Sequence, residues 1–458
     1  MYRGPRSSTG KTTLLLRLWA GFMTRGMQLH AAGRAPRPLL VVLDCKGGAD
    51  SRRIADRARR VLRGAGAAST AVWPDEASLS LWALPPRQLV STLADMVESG
   101  TGGAAYYADV LEEIVRLAVE APCGPPASTA DFLSRLDVNW LGLAYAGAPD
   151  AGLLRSSAGH VGDVALRYRA LLRRLGTGLD GPGGFGDADV WYCILEGTAE
   201  IAVAEAQARA LVDLLAWFAA DGSPGGASPA GARARRDILL AVDEFSAVSR
   251  RLPIWQLYER ARSLGLAVQV SAQSWPGLAA DEDERYRVAT TADGGIWLLR
   301  TPHPEPVAAL AGARRVVDTA RRLLGVPLWA HEGLSRAEGT PVVDPELIRG
   351  LDVGQAAYIY RGGVTYVQVK RLVAGPAELA GPASSATAAA GARSGEQVDV
   401  PPAGRPPASG PPAAAVPAGM PPAPAGGPAP GVPGSDPGAT RPADVSALLD
   451  EAFGEEPG

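Results

Sequence analysis

Three groups of residues in this 458-residue chain combine side-chain types and spacings that can do chemistry. The first is Gly4-Pro5-Arg6-Ser7-Ser8-Thr9-Gly10-Lys11-Thr12-Thr13, which reads as a phosphate-binding loop. Gly10 lets the backbone turn where a side chain would block a phosphate. Lys11 sets a point charge against the β- and γ-phosphates, and Thr12 offers a hydroxyl to Mg2+. Ser8, Thr9, Gly10, Lys11, Thr12 and Thr13 are therefore the predicted nucleotide-binding residues. Thr13 through Ala20 carries a helical period, so the loop should open a helix whose N-terminal dipole faces the anion. The competing reading is a plain Ser/Thr/Gly turn ahead of a helix.

The second group is Asp237-Ile238-Leu239-Leu240-Ala241-Val242-Asp243-Glu244, an apolar strand ending in two carboxylates. Asp243 is expected in the Mg2+ shell and Glu244 as the general base that polarises the attacking water. A helix N-cap at Asp243 is the bland alternative. The third is the segment from Leu266 to Ser274, an apolar strand leading to Gln273, whose amide can sense a γ-phosphate or position water. Arg262, eleven residues before Gln273, falls at the opposite end of that strand. It reads either as an arginine finger for a neighbouring subunit's nucleotide or as a surface Arg at a helix C-terminus.

Two features of the first group depart from the usual G-x-x-x-x-G-K-[ST] spacing. Pro5 stands where the first Gly belongs, and only Met1-Tyr2-Arg3 precede Gly4, too few for the strand that normally holds such a loop. The expectation is a natural start further upstream, or a fragment. Lysine usage strengthens the motif. Of 45 Lys and Arg residues only Lys11, Lys46 and Lys370 are Lys, so an Arg-rich chain keeps an ammonium at the loop.

The elements that must position these groups read as an α/β alternation. Leu39-Leu40-Val41-Val42-Leu43 is a continuous apolar run, as in a parallel strand covered on both faces. It ends in Asp44-Cys45-Lys46-Gly47-Gly48, which places Asp44 and Lys46 on the ligand-binding edge, or marks an ordinary strand-to-helix turn. Arg53, Arg57 and Arg60 then share a helix face that either touches DNA phosphates or is merely solvated. Thr70–Trp73 is a short strand, followed by Leu79–Leu84. Residues 101–184 are mainly helical and read as an insert, and Val190–Leu195 resumes the buried strands. A long Ala-rich helix spans 199–219, and a Gly/Pro/Ser loop covers 222–232. Later come a strand at Gly295–Arg300 and a hairpin, Ala356–Tyr360 with Val364–Val369, across Arg361-Gly362-Gly363. From about residue 375 the composition turns to Pro, Ala and Gly, which cannot bury enough apolar area to offset chain entropy, so the tail should be disordered. Val445, Leu448, Leu449 and Phe453 can form one side of a short terminal helix, either a docking motif for a partner protein or a frayed end. The predicted organisation is a first core part at 1–100, the helical insert at 101–184, a second core part at 185–374 and the tail at 375–458.

Composition sets the outer bounds. The chain is 47% hydrophobic, enough for a sizeable core, with a net charge of −3. The residues from Gly375 onward carry nine acidic and three basic side chains, a net of −6, which leaves the rest mildly basic at +3. That permits nucleic-acid binding without demanding it. Cys45, Cys123 and Cys193 are odd in number and widely spaced, which argues for reduced thiols and a cytoplasmic setting rather than a disulfide framework. The four His residues form no metal-ligand pattern. No secretory signal and no run of 18 apolar residues is found.

On these residues the chain resembles the FtsK/HerA-like DNA-pumping ATPases, and within them most of all the conjugative coupling proteins of the TraG/TraD type, in an actinobacterial style. The likeness spans roughly residues 4–375 apart from the insert. It rests on Gly10-Lys11-Thr12 as Walker A, Asp243-Glu244 as Walker B, Asp44-Cys45-Lys46-Gly47-Gly48, Gln273 at a strand end and Arg262 as the finger acting in trans. The resemblance implies a RecA-like P-loop fold, ATP and Mg2+, a homo-oligomeric ring of about six subunits, and translocation of DNA. It also implies a membrane anchor that would have to precede this sequence, with the motor at the inner face of the membrane. Two alternatives stand against such a translocase. One is a nucleotide-binding scaffold with little turnover that recruits partners through its tail. The other is a chromosome-partition pump, disfavoured because the tail stands where a DNA-reading winged helix would be.

Overall fold

The structure, a computed structural model, describes residues 9–97, 104–221, 236–249, 252, 254–321 and 333–370. All lie within one compact unit, Met1–Leu379. The expectations for the strand-less start, the Gly/Pro/Ser loop and the tail with its terminal helix fall outside the described residues.

The apolar runs become a five-stranded, all-parallel sheet. Its strands are β1 (Pro38–Asp44), β2 (Thr70–Trp73), β3 (Val190–Ile194), β4 (Asp237–Asp243) and β5 (Leu266–Val270), ordered β2-β3-β1-β4-β5. Every residue of β1 is buried because both faces of the sheet are covered. Leu39, Val41 and Leu43 face one core with Trp191, Cys193, Leu240 and Val242. Leu40 and Val42 face the other, with Tyr192 and Ala241. That second core is closed by α1 (Lys11–Ala31), through Leu15, Leu16, Trp19 and Met23, and by α2 (Gly48–Gly64), through Ala55, Ala58 and Leu62. The fold is thus α/β with a parallel central sheet, as the continuous apolar runs predict.

The opposite face is covered by α3 (Pro86–Met96), the helical stretch and α9 (Ile201–Asp221). The helical stretch comprises α4 (Ala104–Val119), α5 (Thr129–Arg135), α6 (Val138–Ala144), α7 (Ala151–Ser157) and α8 (Val161–Leu175). Ile114, Phe132, Tyr168 and Leu172 from these helices belong to the same core as the sheet. The alanines of α9 let it approach closely, with Ala204, Ala206, Ala208 and Ala210 all fully buried. α10 (Ile254–Leu264) leads into β5, and Ile254 and Ala261 join this core too.

The later strand does not extend the main sheet. After α11 (Glu282–Thr291), β6 (Ile296–Leu299) pairs antiparallel with the hairpin. A second sheet results after α12 (Glu305–Leu310), an antiparallel pair β7 (Ala313–Arg321) and β8 (Gly333–Pro341), and α13 (Pro345–Arg349). Its strands run β10-β9-β6, with β9 at Gln355–Tyr360 and β10 at Gly363–Gln368, over a core of their own that includes Leu298, Val343, Ile348 and Ile359. The hairpin turn is two residues, not three. Tyr360 pairs with Gly363, and Arg361 and Gly362 have φ of 48° and 73°, the positive pair that a type I′ turn requires.

The arginine-rich helix is α2. Of the predicted face, Arg53 meets Asp50 at 3.3 Å, while Arg52 and Arg59, which lie off that face, pair with Asp75 at 2.6 Å and with Glu76. The three cysteines are free thiols, two of them buried. Among the described residues no helix is long and apolar enough to cross a membrane.

Candidate active site

The acid pair sits at the carboxyl end of β4. Burial of Leu240, Ala241 and Val242 carries the strand to the sheet edge, where Asp243 ends it. Glu244 follows with φ 56° and ψ 46°, a left-handed backbone that costs a residue with a Cβ about 1–3 kcal/mol. The surroundings hold it there. Its amide donates to Asp243 Oδ1 at 3.0 Å, the next amide, of Phe245, donates to the Ser271 carbonyl at 2.9 Å, and the Phe245 ring is buried. Asp243 caps no helix.

Lys11 reaches the pair from the other side. It is the first residue of α1, whose position is fixed by its apolar stripe and by Trp19 Nε1 donating to Gln269 Oε1 of β5 at 2.8 Å. Its Nζ lies 2.9 Å from Asp243 Oδ1 and 2.8 Å from Glu244 Oε1. Burial alone would lower the Lys11 pKa. The charge of Asp243 and the hydrogen bonds to both carboxylates outweigh that, and the ammonium is held above its ordinary value.

The exit of β5 completes the cluster. Gln273, three residues past the strand, donates Nε2 to both Glu244 oxygens at 2.9 Å. Ser271 Oγ donates to Asp243 Oδ1. Sequence reading singled out Gln273 but not Ser271, although Ser271 leaves the same strand end two residues earlier. One ammonium, two carboxylates, an amide and a hydroxyl from three separate elements thus meet at one edge. Such a set can hold an anion on the ammonium side and a divalent cation on the carboxylate side.

The Asp44 edge is organised differently from the expectation. Asp44 lies in register beside Asp243 but is buried, with Tyr192 Oη donating to Oδ2 at 2.8 Å and the Lys46 amide to Oδ1 at 3.1 Å. Burial raises its pKa, hydrogen bonds from Tyr192, Ser51 and Lys46 oppose the shift, and the charge of Asp243 adds to it. The Lys46 ammonium pairs with Asp50 at 3.6 Å on α2, not with the acid pair. Gly47 has a packing reason. Its φ is 75°, and a Cβ there would lie 2.3 Å from the Leu195 carbonyl oxygen, because the loops leaving β1 and β3 cross at this point.

Of the remaining predicted site residues, Thr9 and Gly10 immediately precede α1, while Thr12 and Thr13 lie in its first turn, where no side chain caps the helix. Ser8 lies outside the described residues. The backbone of Arg262 belongs to the last turn of α10, and its side chain lies outside the described residues as well. No grouping of three or more His, Cys, Asp or Glu suited to a metal occurs among the described residues.

No family model matches the sequence, and no curated protein matches it. Solved structures do resemble the chain. The unbound monoclinic form of the bacterial conjugative coupling protein TrwBΔN70 aligns with a TM-score of 0.48 and 15% identity, covering 72% of this chain and 84% of that one. The plasmid coupling protein TrwB in complex with ADP and Mg2+ aligns at 0.46 and 14%, covering 73% and 85%. The same protein with the non-hydrolysable ATP analogue ADPNP aligns at 0.48 and 13%, covering 72% and 85%.

Proposed function

We propose that the chain is a P-loop ATPase that binds ATP with Mg2+ at the edge formed by Lys11, Asp243, Glu244 and Gln273 and uses its hydrolysis to move DNA in conjugative or plasmid transfer. The observation that carries this reading is the Lys11 ammonium, at the N-terminus of a helix, within 2.9 Å of both strand-end carboxylates. The residues fit the ligand. Gly10 takes the left-handed turn that leads into α1, the first turn of α1 has no side-chain cap competing for its amides, and Lys11 is cationic beside two acids. Ser8 to Thr13 would hold the phosphates, and Thr12 and Asp243 the metal. Bound Mg2+ would neutralise charge building on the phosphates.

The chain's own residues then have defined tasks. Lys11 exchanges its Glu244 contact for phosphate oxygens. Glu244, freed of the ammonium though still held by Gln273, would accept a proton from the attacking water, which the Gln273 amide helps to orient. Arg262 would serve a neighbour's nucleotide in a ring of about six subunits, which places DNA and further copies of the chain among its partners. In this reading residues 1–100 and 185–374 form the ATPase core, 101–184 an insert and 375–458 a tether for a partner protein.

A specific observation also supports a scaffold with little turnover. Both Glu244 oxygens are already taken by Gln273, and one of them by Lys11, so the base is engaged before any ligand arrives. Phosphate release from Mg-ATP by the full chain, with and without DNA, separates the two. The motor reading expects DNA-stimulated turnover that Lys11→Ala and Glu244→Gln abolish. Turnover indifferent to DNA removes the motor, binding without turnover favours the scaffold, and no ATP binding refutes both.

A further inference from the structure

The second sheet touches the phosphate loop. The turn Asp352–Gln355, closed by the Gln355 amide donating to the Asp352 carbonyl at 3.0 Å, precedes β9. Within it the Gly354 amide donates to the Thr9 carbonyl at 3.0 Å. A Cβ on Gly10 would lie 3.0 Å from the Gly354 Cα and 3.1 Å from its nitrogen, so the two glycines meet backbone to backbone. Gly10 is therefore constrained twice, by its φ of 96° and by this approach.

The contact belongs to a closed circuit. The Gly354 carbonyl accepts from the Val369 amide at 2.7 Å, just past β10. The next residue, Lys370, gives its carbonyl to Arg17 Nε at 2.7 Å, a bond between residues 353 apart in sequence. Arg17 lies on α1, less than two turns beyond Lys11. The path thus runs from Thr9 to Gly354, to Val369 and Lys370, to Arg17, and back along α1 to Lys11.

We infer that Gly354 and Arg17 are positioning residues that clasp the phosphate loop, so that the end of the second sheet sets where Lys11 stands relative to Asp243 and Glu244. The consequence for catalysis rests on the nucleotide reading above, whereas the clasp itself does not. Two backbone hydrogen bonds and one from the Arg17 side chain carry the circuit. Only Gly10, Gly354 and Arg17 are specified by type, the glycines by the close approach and the positive φ, Arg17 by its reach. A Cβ at position 354, where φ is 87°, would also come within 3.0 Å of Gln368 Nε2 and 3.3 Å of the Val369 carbonyl. Loosening the clasp frees the loop without touching the acids.

The test compares the full chain with Arg17→Ala, Arg17→Lys and Gly354→Ala. Amide hydrogen exchange is followed over residues 9–17 without nucleotide, together with ATP turnover. Arg17→Ala is expected to speed exchange at the start of α1 about tenfold, the factor corresponding to one lost hydrogen bond, while α9 exchanges as before. Turnover should fall by up to about 10²-fold, the cost of misplacing a reacting group by about 1 Å. Arg17→Lys, which keeps a donor, should restore both. If Gly354→Ala does not fold, the Arg17 pair still decides the matter. Unchanged exchange in Arg17→Ala overturns the clasp, whatever the turnover. Faster exchange in a protein that binds no ATP supports the clasp and refutes the nucleotide reading instead.

Discussion

Replacing Lys11 with Met retains the unbranched side chain and its helix propensity while deleting the charge between Asp243 and Glu244. Breaking a fully buried ion pair from one side costs about 3–5 kcal/mol. Here the side chains of Asp243 and Glu244 keep 10% and 15% of their exposure, Ser271 still donates to one and Gln273 to the other. Water and these donors soften the loss, so the expected destabilisation of the nucleotide-free protein is about 2 kcal/mol, within the range of a single hydrogen bond to a charged group. Glu244→Gln removes one of the two unmatched charges. The double variant should therefore lose about 1 kcal/mol less than the sum of the singles. The effect has a pH signature. The Lys11 pKa is raised above 10.5, so its contribution is complete below that value and lost as pH rises through the higher folded value. The gap between the native chain and Lys11→Met should hold from neutrality to about pH 10 and close above it. Urea unfolding followed by tryptophan fluorescence reads this directly, since Trp19 is buried on the same helix. A Lys11→Met midpoint within about 0.5 kcal/mol of the native chain, with additive singles, would refute the reasoning.

Gly47→Ala forces a Cβ toward the Leu195 carbonyl at a positive φ, and should cost at least the roughly 1–3 kcal/mol of a strained backbone position, seen as a lower melting temperature. An unchanged melt would mean the loops after β1 and β3 do not cross as described. Tyr192→Phe withdraws the hydroxyl that opposes the burial-driven rise of the Asp44 pKa, and should cost about 1–3 kcal/mol near neutrality. Because that pKa rises further in the variant, the penalty should be smallest at pH 3, where Asp44 is protonated in both proteins, and grow as pH climbs through the native protein's raised folded value. A penalty equal at pH 3 and pH 7 would remove Asp44 as its source.

Much of the site was legible because its signals are local. An apolar run that ends in charge reads as a covered strand arriving at a sheet edge, so Val42-Leu43-Asp44 and Ala241-Val242-Asp243-Glu244 announced both the strands and where they end. The loop at Gly10-Lys11-Thr12 was equally local, since helix period and turn chemistry lie within a dozen residues. The α2 arginines were less so. The shared face of Arg53, Arg57 and Arg60 follows from the helix period, but that their neighbours Arg52 and Arg59 meet Asp75 and Glu76 depends on where the chain returns after β2.

Sequence by itself determined the buried strands β1, β3, β4 and β5, the first helix and the terminal hairpin, because those states follow from side-chain pattern over a few residues; α3, α11 to α13 and the pair β7 and β8 carried no pattern clear enough to read. Only the tertiary structure decided that β6 leaves the main sheet for the hairpin, that Gly47 is needed for a loop crossing, and that Ser271 backs Asp243. The same holds for the bond between Gly354 and Thr9, which joins backbone atoms more than three hundred residues apart. The physical reason is that a backbone amide has the same hydrogen-bonding chemistry at every residue but proline. Which carbonyl it finds is settled by the packing of whole elements, and no local pattern records it.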